Sequence, residues 1–131
     1  MRVPMPLNHD LASLVARLLI ASLFILFGFE KITGYASSAG YMEAYGLPGA
    51  LLPLAILVEL GGGIAILLGL FSRWAALALA GFCIVTALVF HTGWSGDGGQ
   101  GQLINFMKNL GLAGGLLLLA ANGPGKYAVT D

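Results

Sequence analysis

Charged side chains are what this sequence has least of. Lys, Arg, Asp and Glu together make up 9% of 131 residues, where a soluble domain carries about 25%, so most of the surface is expected to avoid water. Six basic and six acidic residues cancel, which removes the electrostatic footprint of a nucleic-acid binder. Cysteine is nearly absent as well. A lone Cys83 excludes an internal disulfide, a CxxC redox pair and a thiolate metal cluster, so no metal is expected and any redox chemistry has to come from a bound small molecule. The glycine-rich stretch TGWSGDGGQG (Thr92–Gly101) lacks the Gly-Lys-Ser/Thr of a phosphate loop, and its single aspartate cannot make a calcium loop. It reads as a mobile connection.

What the chain does have is apolar length. Hydrophobic residues make up 58% of it, with a mean hydropathy of +0.90. A spanning helix needs about 20 mostly apolar residues, and four segments qualify: Leu11–Ile32, Ala50–Phe71, Arg73–His91 and Gln102–Ala121. Arg2 ahead of the first has the outline of a secretory signal, but Arg17 within it and three more apolar segments after it predict a retained span. The expected fold is all-α, one integral membrane four-helix bundle running up-down-up-down over residues 1–131. Between the first two spans, Ser37–Tyr45 predicts a short interfacial helix stopped by Gly46 and Pro48, with Tyr35, Tyr41 and Tyr45 at headgroup level. Gly61–Gly63 in the second span and Gly111, Gly114 and Gly115 in the fourth either let those two helices approach closely or merely fill space. Arg2, Arg73 and Lys126 against Lys31 predict both termini in the cytoplasm. His9 then lies on the cytosolic side and Glu30 on the opposite, solvated rim.

A few ionisable groups interrupt the spans. At about 1.5 Å per residue, Lys108 sits roughly 9 Å and Glu59 roughly 14 Å below the outer surface, with Arg17 roughly 9 Å above the inner one and His91 at the outer edge. Charges at such depth face inward and pair, so Glu59 is expected to answer Lys108, with Arg17 also in reach. Asn105, Lys108 and Asn109 share one helical face. Arg17 and Lys31 point within about 40° of each other, along one inward stripe of the first span. Such a cluster either orients the helices, with Arg17 or Lys31 snorkelling to the headgroups, or marks a functional site. His91 reads equally as a proton relay or an interfacial polar end, and Cys83 as a small core residue.

Taken in order, ARLLIASLFILFGFEKI, LPGALLPLAILVELGGGIAILLGLFSR, LVFH, FMKNLGLAGGLLLLA and GPGKYAVTD resemble the DoxX family of small four-helix bacterial membrane proteins, and most of all its enterobacterial inner-membrane branch. The resemblance covers nearly the whole chain. It is carried by Arg17, Glu59 ahead of glycines, Lys108-Asn109 and the terminal Gly-Pro-Gly-Lys-Tyr. It implies an oxidoreductase role in the inner membrane, associated with thiosulfate:quinone oxidoreduction, quinone or catechol stress, or membrane complexes handling oxidative and thiol stress. With one cysteine, direct dithiol chemistry is not expected of this chain. Two readings remain open. In one, the chain is an oxidoreductase component that binds a quinone or similar redox molecule from the lipid. Arg17, Lys31, Asn105, Lys108 and Asn109 then bind its oxygens, Glu59 and His91 pass protons, and Phe24, Phe27, Phe106 and Met107 supply walls. In the other, it is a non-catalytic subunit or small-solute carrier that uses the same cluster for assembly or permeation. Expected partners are the bilayer, a membrane or peripheral redox protein, and further copies of the chain. The site is expected as a cavity around Arg17, Glu59, Asn105 and Lys108, open toward the outer leaflet.

Overall fold

The computed structural model describes residues 6–130 and contains, within them, helices and connecting turns with no strand. Five helical stretches run in order: α1 (His9–Thr33), α2 (Tyr35–Ala44), α3 (Gly49–Leu68), α4 (Ser72–Phe90) and α5 (Gly99–Asn122). All but α2 are long and apolar enough to cross a membrane. Asn8 starts α1 by accepting the Leu11 amide at its side-chain oxygen, 3.1 Å away, which satisfies one of the free donors of a helix N-terminus. Pro53 sits in the first turn of the regular part of α3, where its missing N–H costs nothing. Gly69 ends α3 in the left-handed region at φ 67°, and the next amide, Leu70, reaches back to the Ala65 carbonyl.

The four long helices form an antiparallel bundle in which α1 packs along α3, α3 against α4, and α4 most extensively against α5. Each buries only a stripe. Leu19, Leu26, Leu57, Trp74, Val85 and Leu118 lie exposed on the outward faces, a surface that suits hydrocarbon rather than water. On α1 the inward stripe is Arg17, Ala21, Phe24 and Gly28, as the helical spacing predicts, and Lys31 continues it. Phe24, Ile66, Leu79, Cys83 and Leu116 pack together in the core.

Close approach occurs at Gly62 and Gly63, among the glycines the sequence singles out, but not at those of the fourth span. A Cβ on Gly28 would lie 3.1 Å from the Leu60 amide nitrogen, and one on Gly63 3.0 Å from Ile25, so α1 and α3 are the pair that glycine brings together. Gly62 likewise admits the Leu79 side chain of α4. Gly111, Gly114 and Gly115 meet nothing within 4 Å. The expected contact between the second and fourth spans is therefore corrected: α3 and α5 lie diagonally in the bundle, and the α5 glycines point outward.

The start of α1, the α3–α4 turn and residues 123–130 share one end of the bundle, which that last segment closes. The Val129 and Thr130 amides bond to the Leu68 and Gly69 carbonyls, the Thr130 hydroxyl accepts the Phe71 amide at 2.7 Å, and Asp10 accepts the Lys126 amide at 2.9 Å. Arg2 and Asp131 fall outside the described residues. At the other end, α2 lies across the bundle, with Tyr41 and Tyr45 packed on Phe90. The Thr92–Gly101 connection is folded: the Trp94 indole donates to the His91 carbonyl at 2.7 Å and packs edge-on against Phe106. The side-chain-free Gly99 makes room for the Trp94 carbonyl, and α5 begins there, three residues earlier than Gln102.

Candidate functional site

One turn of α3, Leu57–Gly61, widens to a π-helix. Such single-turn bulges rotate the rest of the helix about its axis and recur at functional sites. This one carries Glu59, which is 4% exposed. Three residues beyond the Gly28–Leu60 approach, Lys31 comes over it, and its Nζ lies 2.6 Å from Glu59 Oε1. The sequence expectation that Glu59 answers Lys108 is thus corrected: the partner is Lys31, because glycine draws α1 against α3 more closely than α5 comes. At this separation the ammonium and the carboxylate form a charge-assisted pair.

Above this pair opens a cavity of about 1180 Å³. Phe24, Phe27, Leu52, Val58, Phe82 and Val89 supply apolar wall, while Lys31, Glu59, His91, Asn105, Lys108 and Asn109 bring polar groups from α1, α3, α4 and α5. The α2 residues Ser37, Ser38, Tyr41 and Met42 roof it. The Tyr41 hydroxyl is pushed up to about 12 by burial and by the neighbouring Tyr45 hydroxyl, which keeps it a neutral donor. Lys108 makes no ion pair among the described residues, so its ammonium is free for a ligand. Asn109 is partly committed, donating to the Thr86 hydroxyl at 3.1 Å, which ties α5 to α4 at the cavity wall.

Arg17 stands apart. Its Nε donates to the Ile66 carbonyl (2.9 Å), Nη1 to Pro124 (3.2 Å) and Tyr127 (2.7 Å), and Nη2 to Leu67 (3.0 Å). A guanidinium at the carbonyl end of α3 meets both the free acceptors and the negative end of the helix dipole. It is 1% exposed and fastens the tail to the bundle at the end opposite the cavity. Of the expected walls, Phe24 and Phe27 line the cavity, whereas Phe106 packs on Trp94 and Met107 is exposed on the outward side. Cys83 belongs to the core and also borders the cavity.

Gln102 and Tyr45 were not among the candidates read from the sequence. His91 Nδ1 lies 2.8 Å from Gln102 Oε1, and Gln102 Nε2 donates to the Tyr45 hydroxyl at 3.3 Å. The available signal was the spacing Gln102, Asn105, Asn109, one polar face of a helix. No group of three or more His, Cys, Asp or Glu able to hold a metal occurs among the described residues.

A family model described as DoxX matches residues 12–92, the stretch from α1 to just past α4. The chain is 52% identical over 121 residues to the Inner membrane protein YqjF of Escherichia coli strain K12, covering 92% of this chain and 91% of that one. It is 38% identical over 120 residues to the Inner membrane protein YphA of the same organism, covering 88% and 86%. No solved structure gives a match. With a family match spanning three of the four long helices and two relatives aligned along nearly all of it, the chain belongs to the DoxX family.

Proposed function

We propose that the cavity binds a quinone or a similar flat, lipid-soluble redox molecule, and that the chain is the membrane component of an oxidoreductase. The observation that carries this reading is the cavity itself, about 1180 Å³ with apolar walls and polar groups converging from every long helix. Ligand pockets commonly run about 300–1,000 Å³, so a ring system and the start of an apolar tail fit. A quinone offers two carbonyl oxygens, which require donors, and Lys108, Asn105 and Lys31 supply them. Its reduction consumes protons, which the Glu59 carboxyl and the His91 imidazole can carry. With a single cysteine the chain has no dithiol to pass electrons, so in this reading they come from a partner redox protein or donor. Passage of a solute through the bundle is disfavoured by the packed core and by the tail that closes the opposite end.

The proposed placement is the inner membrane, as in the names of both relatives, with both termini in the cytoplasm. Arg73 and Lys126 at the terminal end, against Lys31 at the other, support it. A reporter joined after the tail should be active only in its cytoplasmic form, and a periplasmic signal reverses the orientation.

Binding of a short-chain quinone analogue to the protein in nanodiscs tests the functional reading. Lys108→Met keeps the length of the side chain and deletes its charge. Loss of a charged hydrogen bond, about 1.5–3 kcal/mol, weakens binding at least about tenfold. Equal affinity in parent and variant removes Lys108 from the site. A parent that binds no analogue while a partner protein co-purifies returns the cluster to an assembly role.

A further inference from the structure

The hydrogen bonds at the cavity mouth specify more than a polar lining. His91 lies where α4 ends, and its Nδ1 is 2.8 Å from Gln102 Oε1 on the first turns of α5. The same amide turns its Nε2 to the hydroxyl of Tyr45, the residue that follows α2. A carbonyl oxygen can only accept, so a neutral imidazole in this arrangement carries its proton on Nδ1. Free histidine prefers the other tautomer, with the proton on Nε2.

We infer that Gln102 is a positioning residue for His91: its amide oxygen holds the imidazole as the Nδ1–H tautomer and leaves Nε2 as a proton-accepting atom at the cavity wall. The inference rests on the reading of the cavity as a binding site. When a ligand hydroxyl gives up its proton, its O–H bond breaks and Nε2–H forms. His91 becomes imidazolium and the ligand an oxyanion, which the Lys108 ammonium on the same cavity stabilises. In the reverse direction the imidazolium returns the proton to a reduced ring oxygen. The Tyr45 hydroxyl, which can donate as well as accept, takes the Gln102 N–H in this arrangement. A hydrogen bond at one imidazole nitrogen decides which form the other takes, and so which atom does the chemistry. The other titratable groups lining this cavity are Glu30 and Lys31 on α1, Tyr41 on α2, Glu59 on α3, Cys83 on α4 and Lys108 on α5, and Tyr45 follows α2.

The chain has two histidines, and His9→Gln leaves His91 as the sole imidazole, so nitrogen NMR of histidine-labelled protein in nanodiscs reads it without assignment. Nδ1–H is expected in that chain, and reversion to the Nε2–H form on adding Gln102→Leu. Gln102→Glu sets a carboxylate beside Nδ1–H, which favours imidazolium and raises the His91 midpoint by about one pH unit or more. The pH profile of analogue binding should shift with it. Nε2–H in the His9→Gln chain overturns the positioning role. A midpoint that moves while the binding profile stays put overturns the acid–base role. A parent that binds no analogue at any pH removes the cavity reading and the acid–base role together, and the nitrogen lines tell that outcome from a failed clamp.

Discussion

Replacing Arg17 with methionine separates a structural cation from a ligand-binding one. Methionine nearly matches the aliphatic length of the side chain and leaves four carbonyls without their donor. The bonds to Ile66 and Pro124 are buried, and those to Leu67 and Tyr127 are partly buried. A buried acceptor left unpaired costs about 1–3 kcal/mol, whereas the partly buried ones can turn to water. Against that stands the relief of no longer holding a guanidinium out of water, several kcal/mol in its own right. The two buried acceptors lose up to about 6 kcal/mol together, and the desolvation relief leaves a net loss of at most a few kcal/mol, concentrated at the terminal end. Thermal unfolding in mild detergent reads the total, and digestion by carboxypeptidase reads the release of the tail. Both should change while analogue affinity stays within about twofold of the parent, less than half of the 1.4 kcal/mol that a tenfold change requires. Arg17→Lys should recover only part of the loss, because an ammonium cannot reproduce the guanidinium fork. An Arg17→Met chain with parental stability and lost analogue binding would refute the reasoning and return Arg17 to the site.

The packing sets two further outcomes. The Lys31–Glu59 pair is lopsided, 31% exposed on the ammonium side and 5% on the carboxylate side. Lys31→Met, which strands a buried carboxylate, should therefore lower detergent stability by up to about 3–5 kcal/mol, and Glu59→Gln by clearly less; equal losses would mean that both ends reach water alike. Gly69→Ala forces a side chain into the left-handed region and to within 2.7 Å of the Ala128 Cα, so it should cost well over about 1 kcal/mol. Gly114→Ala meets open space and should be neutral or gain up to about 1 kcal/mol. Matching melting curves for the two variants would contradict the tail contact.

The long helices were legible because hydrophobic length is a local property. Leu11–Ile32 became His9–Thr33, Ala50–Phe71 became Gly49–Leu68, and the short Ser37–Tyr45 helix became Tyr35–Ala44. The shared face of Arg17 and Lys31 was also readable, since both lie on one uninterrupted helix. Which cation meets Glu59 was not. That choice depends on the distance between helices, set by Gly28 against Leu60, and on the π turn that carries Glu59, neither of which leaves a periodic trace. Depth alone ranked Lys108 and Arg17 as reachable and overlooked that a lysine at the rim can point downward. Arg17 escaped for a different reason: its acceptors are backbone carbonyls, and two of them belong to a tail with no hydrophobic pattern. The outward turn of the α5 glycines was equally hidden, because a small-residue spacing reads alike on either side of a helix.

The bonds from Arg17 to Pro124 and Tyr127 join segments 107 and 110 residues apart in the chain, so one partner is made well before the other. While the ribosome is still making α5, the Arg17 side chain has no tail to bind and must find other acceptors, headgroups or water among them. The terminal end of the bundle can therefore close only after translation has passed residue 127. A premature stop between Asn122 and Pro124 should be felt first in α1, as a span that inserts normally but never settles, which would mark such truncated chains for membrane proteases ahead of any loss at the cavity.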